Sequence, residues 1–174
     1  MTAVKQLDAI DLHLVALLQE DDRLGLADIG QRVGLAPSSV NDRIKRLVDR
    51  GVVRGFNARL SPEALGFELL AFVFVGWADP KVEGPFLRRI AQEAAVQECH
   101  HVTGAWNYLM KVRLRNTREL EQFLSNAVKG VGGVERTETL IVLSSAKETL
   151  AVPLEPPTLA RSDKLNRPKR RKPE

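Results

Sequence analysis

Cys99 is the only cysteine in this chain of 174 residues. A lone thiol closes no internal disulfide, which sets aside the disulfide-stapled secreted scaffolds and fits a reducing compartment. Long apolar runs are missing as well. The longest uncharged one, residues 69–78, falls short of the roughly 20 residues that span a bilayer, so no membrane partner is expected. The N-terminus carries Asp8 and Asp11 where a signal peptide needs an unbroken apolar region, and a cytoplasmic location is the expectation. Reaction motifs are also lacking. The chain shows no Ser/His/Asp pattern, no paired-carboxylate motif and no metalloprotease helix, so it reads as no enzyme: neither catalytic residues, nor a metal site, nor a cofactor is expected. His100 and His101 are adjacent on a β-prone run and point to opposite faces; Cys99 and His101 share a face, but two ligands are too few for structural zinc. The segment 130–133, Gly-Val-Gly-Gly, follows a helix and precedes a strand, the reverse of the nucleotide-binding order, and reads as a turn.

What the chain does have is apolar material, 44% of its residues, and a net charge of +4 from 26 basic and 22 acidic side chains. The first suffices for a core. The second becomes informative only when located, because charge acts on partners where it is concentrated. Residues 153–174 hold seven basic and three acidic residues, which accounts for the whole excess and leaves the other 152 residues balanced. That tail is rich in proline and poor in large apolar residues, and it is expected to be disordered. It reads either as a solvated tail without a partner or as an arm touching phosphates. Inside the balanced body, residues 41–60 carry six arginines and lysines against Asp42 and Asp49. Two basic patches result.

The second patch lies on a helical pattern. Leu7, Ile10, Leu14, Leu17 and Leu18 recur at helical spacing over 7–20, with Asp8 and Asp11 at the positive end of that helix. A shorter helix follows over 26–33, where Gly30 is small enough for another helix to approach closely, and Gly34 ends it. Pro37 starts a third helix at the position where a missing N–H costs nothing. At 100° per residue, Val40, Ile44, Leu47 and Val48 fall on its buried side and Ser38, Ser39, Asp42, Lys45, Arg46 and Asp49 on the other. A short helix, a glycine turn and a helix that starts with small polar residues and continues with basic ones is the arrangement that enters a major groove. Ser38, Ser39, Asp42, Arg43, Lys45, Arg46 and, in the β-prone wing at 51–60, Arg54 are the expected contacts to double-stranded DNA.

Downstream, residues 67–77 are apolar on both alternating faces, and such a strand must be covered twice, once by helices of its own domain and once by a partner subunit. A helix over 80–95, strands over 96–103 and 106–115, a helix capped by Asn116 with Glu119 three residues on, and a strand over 134–145 complete the order β-α-β-β-α-β. The fold class is α+β: a winged helix-turn-helix (1–54), a connection (55–66), a ferredoxin-like sandwich (67–152) and the basic tail (153–174).

Residues 7–150 resemble the Lrp/AsnC (feast/famine) family of transcription regulators. The resemblance is carried by Leu7 to Asp11, Leu17 to Gln19 with Arg23, Val33 to Val40, Arg43 to Leu47, Gly51 to Val53, Leu65-Gly66, Val96, Cys99, Val102 to Gly104, Tyr108-Leu109 and Gly133-Val134. It implies a DNA-binding winged helix joined to a ligand-sensing RAM domain, homodimers formed through the sheets, often octamers, and a small effector, usually an amino acid, between subunits. The site implied for that effector is Thr103, Gly104, Ala105, Trp106, Asn107 and Tyr108. Two positions depart from the family pattern. Ala36 replaces a serine N-cap, which costs about 1 kcal/mol of helix stability, and Asn107 stands where aspartate is usual. An amide cannot make the charge-assisted bond that a carboxylate makes to an ammonium group.

Overall fold

The computed structural model describes residues 7–155, which divide into two compact units, 7–58 together with 149–155, and 59–148. The expected disorder of the tail from 156 on lies outside the described residues.

The first unit is built on three helices, α1 (Ala9–Glu20), α2 (Leu26–Val33) and α3 (Pro37–Asp49). Asp8 caps α1 by accepting the Asp11 N–H at 2.7 Å, and Gly34 ends α2 in the left-handed conformation at φ 71°. Leu14, Ile29, Val40 and Leu47 are fully buried and form the centre of its core. Burying each contributes about 1.5–3 kcal/mol. Two details depart from the expected packing. Gly30 makes room for the turn, not for a helix: a Cβ there would lie 2.5 Å from the Leu35 carbonyl oxygen, while Leu35 N–H bonds the Gly30 carbonyl at 2.9 Å. Val48, assigned to the buried side, is 41% exposed because it lies at the rim of the stripe, and Leu47 alone fills the end of α3.

Residues 51–60 form no strand in the chain, contrary to the β-prone reading. Val52 and Val53 N–H groups bond the Leu47 carbonyl at 2.9 and 3.2 Å and pack on the core, and after them no described residue of the unit pairs with this segment in a ladder. Residues 149–155 pack with the first unit: Gln19 donates to the Val152 carbonyl at 2.9 Å and accepts its N–H at 2.8 Å, and Leu154 packs against the helical core.

The second unit is a four-stranded antiparallel sheet in the order β2-β3-β1-β4, with β1 (Leu69–Gly76), β2 (Val96–His101), β3 (Tyr108–Leu114) and β4 (Arg136–Ile141). Helices α4 (Glu83–Ile90) and α5 (Thr117–Phe123) cover one face. On that side Ala71, Val73 and Val75 of β1 meet Phe86, Ile90, Leu120, Phe123 and Val128 in one core. The strands are shorter at their ends than their patterns suggest, and the expected helix over 80–95 is a 3-10 turn (Pro80–Val82) followed by α4. Asn116 caps α5 by accepting the Glu119 N–H at 3.0 Å, while the Glu119 carboxylate takes the Arg115 N–H at 2.9 Å, one residue earlier than a capping box would have it. Beyond Phe123 the helix widens into a π turn (Leu124–Val128) before the 130–133 turn. The opposite sheet face carries Leu70, Phe72 and Phe74, paired in register with Arg113, Lys111 and Leu109, and no helix of the unit covers it.

Candidate nucleic-acid interface and effector loop

The polar side of α3 is set by its buried side. With Val40 and Leu47 anchored, the 3.6-residue period turns Ser39, Asp42, Lys45 and Arg46 outward, where together with Leu35 and Arg43 they line one shallow concavity. Ser38, Ser39, Asp42, Lys45, Arg46 and Arg54 are exposed, and Lys45, Arg46 and Arg54 make no ion pair among the described residues. Ala36 at the N-cap provides no side-chain hydrogen bond, which leaves the first N–H groups of α3 to the solvent or a ligand.

Arg43 differs from its neighbours. Its guanidinium bonds both Asp8 and Asp11 at 2.7 Å, its side chain is 22% exposed, and the pair locks α3 to the start of α1. Desolvation alone would raise the Asp8 carboxyl. The Asp11 N–H and the Arg43 guanidinium outweigh it and hold the group below the usual carboxylate range. Residue type pointed to DNA for Arg43; the two acids three residues apart at the start of α1 are the signal that points instead to positioning.

In the second unit, residues 103–107 connect β2 and β3, and Asn107 and the Ala105 carbonyl have partners within the chain. Asn107 Oδ1 accepts the Trp77 N–H at 2.9 Å, the Asn107 N–H donates to the Val75 carbonyl at 2.9 Å, and its carbonyl takes the Val102 N–H at 3.1 Å. Asn107 thus closes the end of β1. Arg136 donates to the Ala105 carbonyl and lies over the Trp106 ring at 4.9 Å, a cation–π contact. Gly76 permits this, because a Cβ there would meet the Arg136 side chain at 2.6 Å. Tyr108 is buried among His101, Trp77 and Phe86, and its hydroxyl donates to Glu83 at 2.7 Å. The bond to Glu83, helped by burial and the negative charge of that carboxylate, pushes the Tyr108 phenol up to about 12. Thr103, Gly104 and Ala105 are exposed. The structure brings Thr103 to Tyr108 together as one loop, but Tyr108 points its ring into the core. Residue typing missed Arg136, whose pairing opposite Gly76 on β1 appears only in the sheet register. Among the described residues no three His, Cys, Asp or Glu side chains gather to hold a metal, and no helix is long and apolar enough to cross a membrane.

Two family models match the chain: a winged helix-turn-helix DNA-binding model over residues 7–54 and the Lrp/AsnC ligand binding domain over 70–152. An HTH-type transcriptional regulator of Pyrococcus abyssi, FL11, is 36% identical over 152 residues, covering 85% of this chain and 97% of its own. The chain belongs to the Lrp/AsnC family of transcriptional regulators. Solved Lrp/AsnC structures share its architecture. A transcriptional regulator from Neisseria meningitidis in complex with L-Met superposes with a TM-score of 0.80 at 30% identity, over 85% of this chain and 97% of that one. The feast or famine regulatory protein of Mycobacterium tuberculosis complexed with L-methionine gives 0.78 at 35%, over 84% and 99%. As an Lrp/AsnC protein the chain is a transcriptional regulator and not an enzyme, with α1 to α3 as its DNA-binding helices and the sheet unit as its ligand-binding domain.

Proposed function

We propose that this Lrp/AsnC regulator acts in the cytoplasm as a homodimer or a higher oligomer such as an octamer, inserts α3 into the major groove of each half-site, and answers to a small effector held at residues 103–108. The observation that carries the DNA reading is the exposed polar face of α3, where Ser39, Asp42, Lys45 and Arg46 share one concavity and Lys45 and Arg46 have no ion pair among the described residues. In this reading Ser38 and Ser39 reach base edges or phosphates from the first turn, Asp42 accepts from a cytosine amino group, Lys45 and Arg46 contact bases or phosphates, and Arg54 takes the backbone beside them. Arg43 acts through Asp8 and Asp11, holding the angle of α3.

The uncovered sheet face supports the oligomer. Phe72 and Phe74 are half-buried there, and Leu140, in register with Phe72 and 50% exposed, extends an apolar surface that a second copy would cover. With Asn107 and the Ala105 carbonyl already paired within the chain, a second copy would supply the groups that complete a pocket. With Asn107 neutral and its oxygen committed to Trp77, the effector of this chain is an amino acid or related metabolite whose ammonium is not paired to position 107. Gel-shift titration against DNA from the promoter beside its own gene tests the central part. Arg46→Ala should lose about 1–3 kcal/mol of binding at unchanged thermal stability; equal binding by wild type and variant to specific and random duplexes would overturn it.

A further inference from the structure

The loop at 103–107 has no carboxylate to offer an ammonium group, and the neighbouring strand β4 has one. Asn107 is neutral, and its side-chain oxygen already takes the Trp77 N–H at 2.9 Å. Two acids of the same unit are occupied as well: Glu83 takes the Tyr108 hydroxyl at 2.7 Å, and Glu135 takes the Ala78 N–H at 3.2 Å. Glu138 differs from them. It is exposed and makes no ion pair among the described residues.

Sheet register gives Glu138 a cationic neighbour on the same face. Glu138 stands opposite Phe74 and Arg136 opposite Gly76, so both lie on the side of the sheet that α4 and α5 leave uncovered. Two residues along one strand, their Cα atoms are about 7 Å apart. Arg136 turns toward the loop, donating to the Ala105 carbonyl and lying over the Trp106 ring at 4.9 Å. Gly76 makes the room, since a Cβ there would meet the Arg136 side chain at 2.6 Å. No carboxylate pairs with the guanidinium among the described residues, which leaves N–H donors for a ligand. The Trp106 ring in turn lies 5.8 Å from that of Phe74, and both side chains are half-buried. An aromatic floor therefore carries a guanidinium at one end and a carboxylate two residues further along β4.

We propose that Arg136 and Glu138 are the polar clamp for the effector of this chain, a zwitterionic α-amino acid with an apolar side chain. Arg136 takes its carboxylate, Glu138 takes its ammonium, and Trp106 with Phe74 carries its side chain. This rests on the effector reading of residues 103–108. The clamp selects by charge: a 2-oxo acid leaves Glu138 unpaired, an amine without a carboxylate leaves Arg136 unpaired, and a ligand with both signs joined through one carbon satisfies both.

Isothermal titration calorimetry of the full chain with L-phenylalanine, L-methionine, phenylpyruvate and phenethylamine tests the clamp, on wild type, Arg136→Gln, Glu138→Gln and Gly104→Val. Wild type should bind both amino acids, and phenylpyruvate and phenethylamine at least about tenfold more weakly, the loss of one hydrogen bond to a charged group. Glu138→Gln should weaken both amino acids by about tenfold or more and leave phenylpyruvate unchanged. Arg136→Gln should weaken the amino acids as much and leave phenethylamine unchanged. Glu138→Gln should melt as wild type does, so it reads the clamp alone even where Arg136→Gln loosens the loop. Three results would each overturn the proposal: amino-acid affinity unchanged in Glu138→Gln, phenylpyruvate bound as tightly as L-phenylalanine, or no binding of either amino acid at millimolar concentration. Gly104 sits at φ 108°, so Gly104→Val strains the loop itself. Amino-acid binding lost in that variant but kept in Glu138→Gln removes the clamp and leaves the effector reading of 103–108; binding kept in both removes the two together.

Discussion

The polar face of α3 and the loop at 103–107 are both candidate sites, and they differ in how their side chains are occupied. On α3, Lys45 and Arg46 are exposed without ion pairs among the described residues, and Arg43 is taken by the acids that fix the helix. In the loop, Asn107, the Ala105 carbonyl, Trp106 and Tyr108 all have partners in their own chain. A face without partners among the described residues is ready to meet a large rigid ligand such as DNA, whose contacts add to that surface. A loop whose Asn107 and Ala105 carbonyl are paired offers fewer free groups, and a ligand there uses what a second copy brings or exchanges a contact the loop already makes. This division fits a regulator in which one unit reads and the other senses.

The comparison can be broken most forcefully at the turn that orients α3. Gly30→Val would drive a side chain into the Leu35 carbonyl, which a Cβ would approach to 2.5 Å. Overpacking against backbone costs about 1–3 kcal/mol or more, so the helical unit should melt earlier and DNA binding should vanish, while calorimetry should show the sheet unit's transition in place. Next in size, Asn107→Ala removes the acceptor of the Trp77 N–H. Leaving that donor unpaired should cost about 1–3 kcal/mol in the sheet unit, visible as a lower denaturation midpoint, with DNA affinity of the assembled protein unaffected. Asn107→Asp keeps the acceptor and adds a charge, so it should fold normally and gain affinity for free amino acids in a thermal-shift screen; a ligand at 100 times its dissociation constant stabilises by about 2.7 kcal/mol.

The smallest effect is pH-dependent. The Asp8 carboxyl sits below its ordinary 3.8 in the folded chain, held there against desolvation by the Asp11 N–H and Arg43. A depressed folded value means the contribution is complete above 3.8 and is lost as pH falls through the lower folded value. Acid titration of the helical unit followed by circular dichroism should show this loss below 3.8 in the wild type and a reduced one in Arg43→Ala. A wild-type acid transition unchanged in that variant would show that Arg43 does not hold Asp8, and would return Arg43 to the DNA-facing set.

Much of this was legible in the sequence where one local rule decides the outcome. The bounds of α2, its Gly34 cap, Pro37 at the start of α3 and Asn116 at the start of α5 all follow from cap chemistry and period, and the two faces of β1 follow from alternation. What stayed hidden depends on partners distant along the chain. The wing at 51–60 is β-prone in composition, but a strand needs a ladder and the chain supplies none there. Arg43 looked like its basic neighbours because its acids lie 32 and 35 residues away. Gln19 met Val152 across 133 residues with no signal beyond an ordinary polar position. Asn107 was legible as a departure from the family pattern, and its bond to Trp77 was not, because that bond requires the register of two strands.

The central claim is that α3 presents a ready-made reading face in a two-fold assembly. Footprinting on the promoter region beside the protein's own gene, with wild type and Arg46→Ala side by side, tests it most directly. The expected result is two protected half-sites whose centres lie about 10–10.5 base pairs apart or a multiple of that, both lost or strongly weakened in the variant. Protection that is absent, or that is identical in wild type and Arg46→Ala, would contradict it.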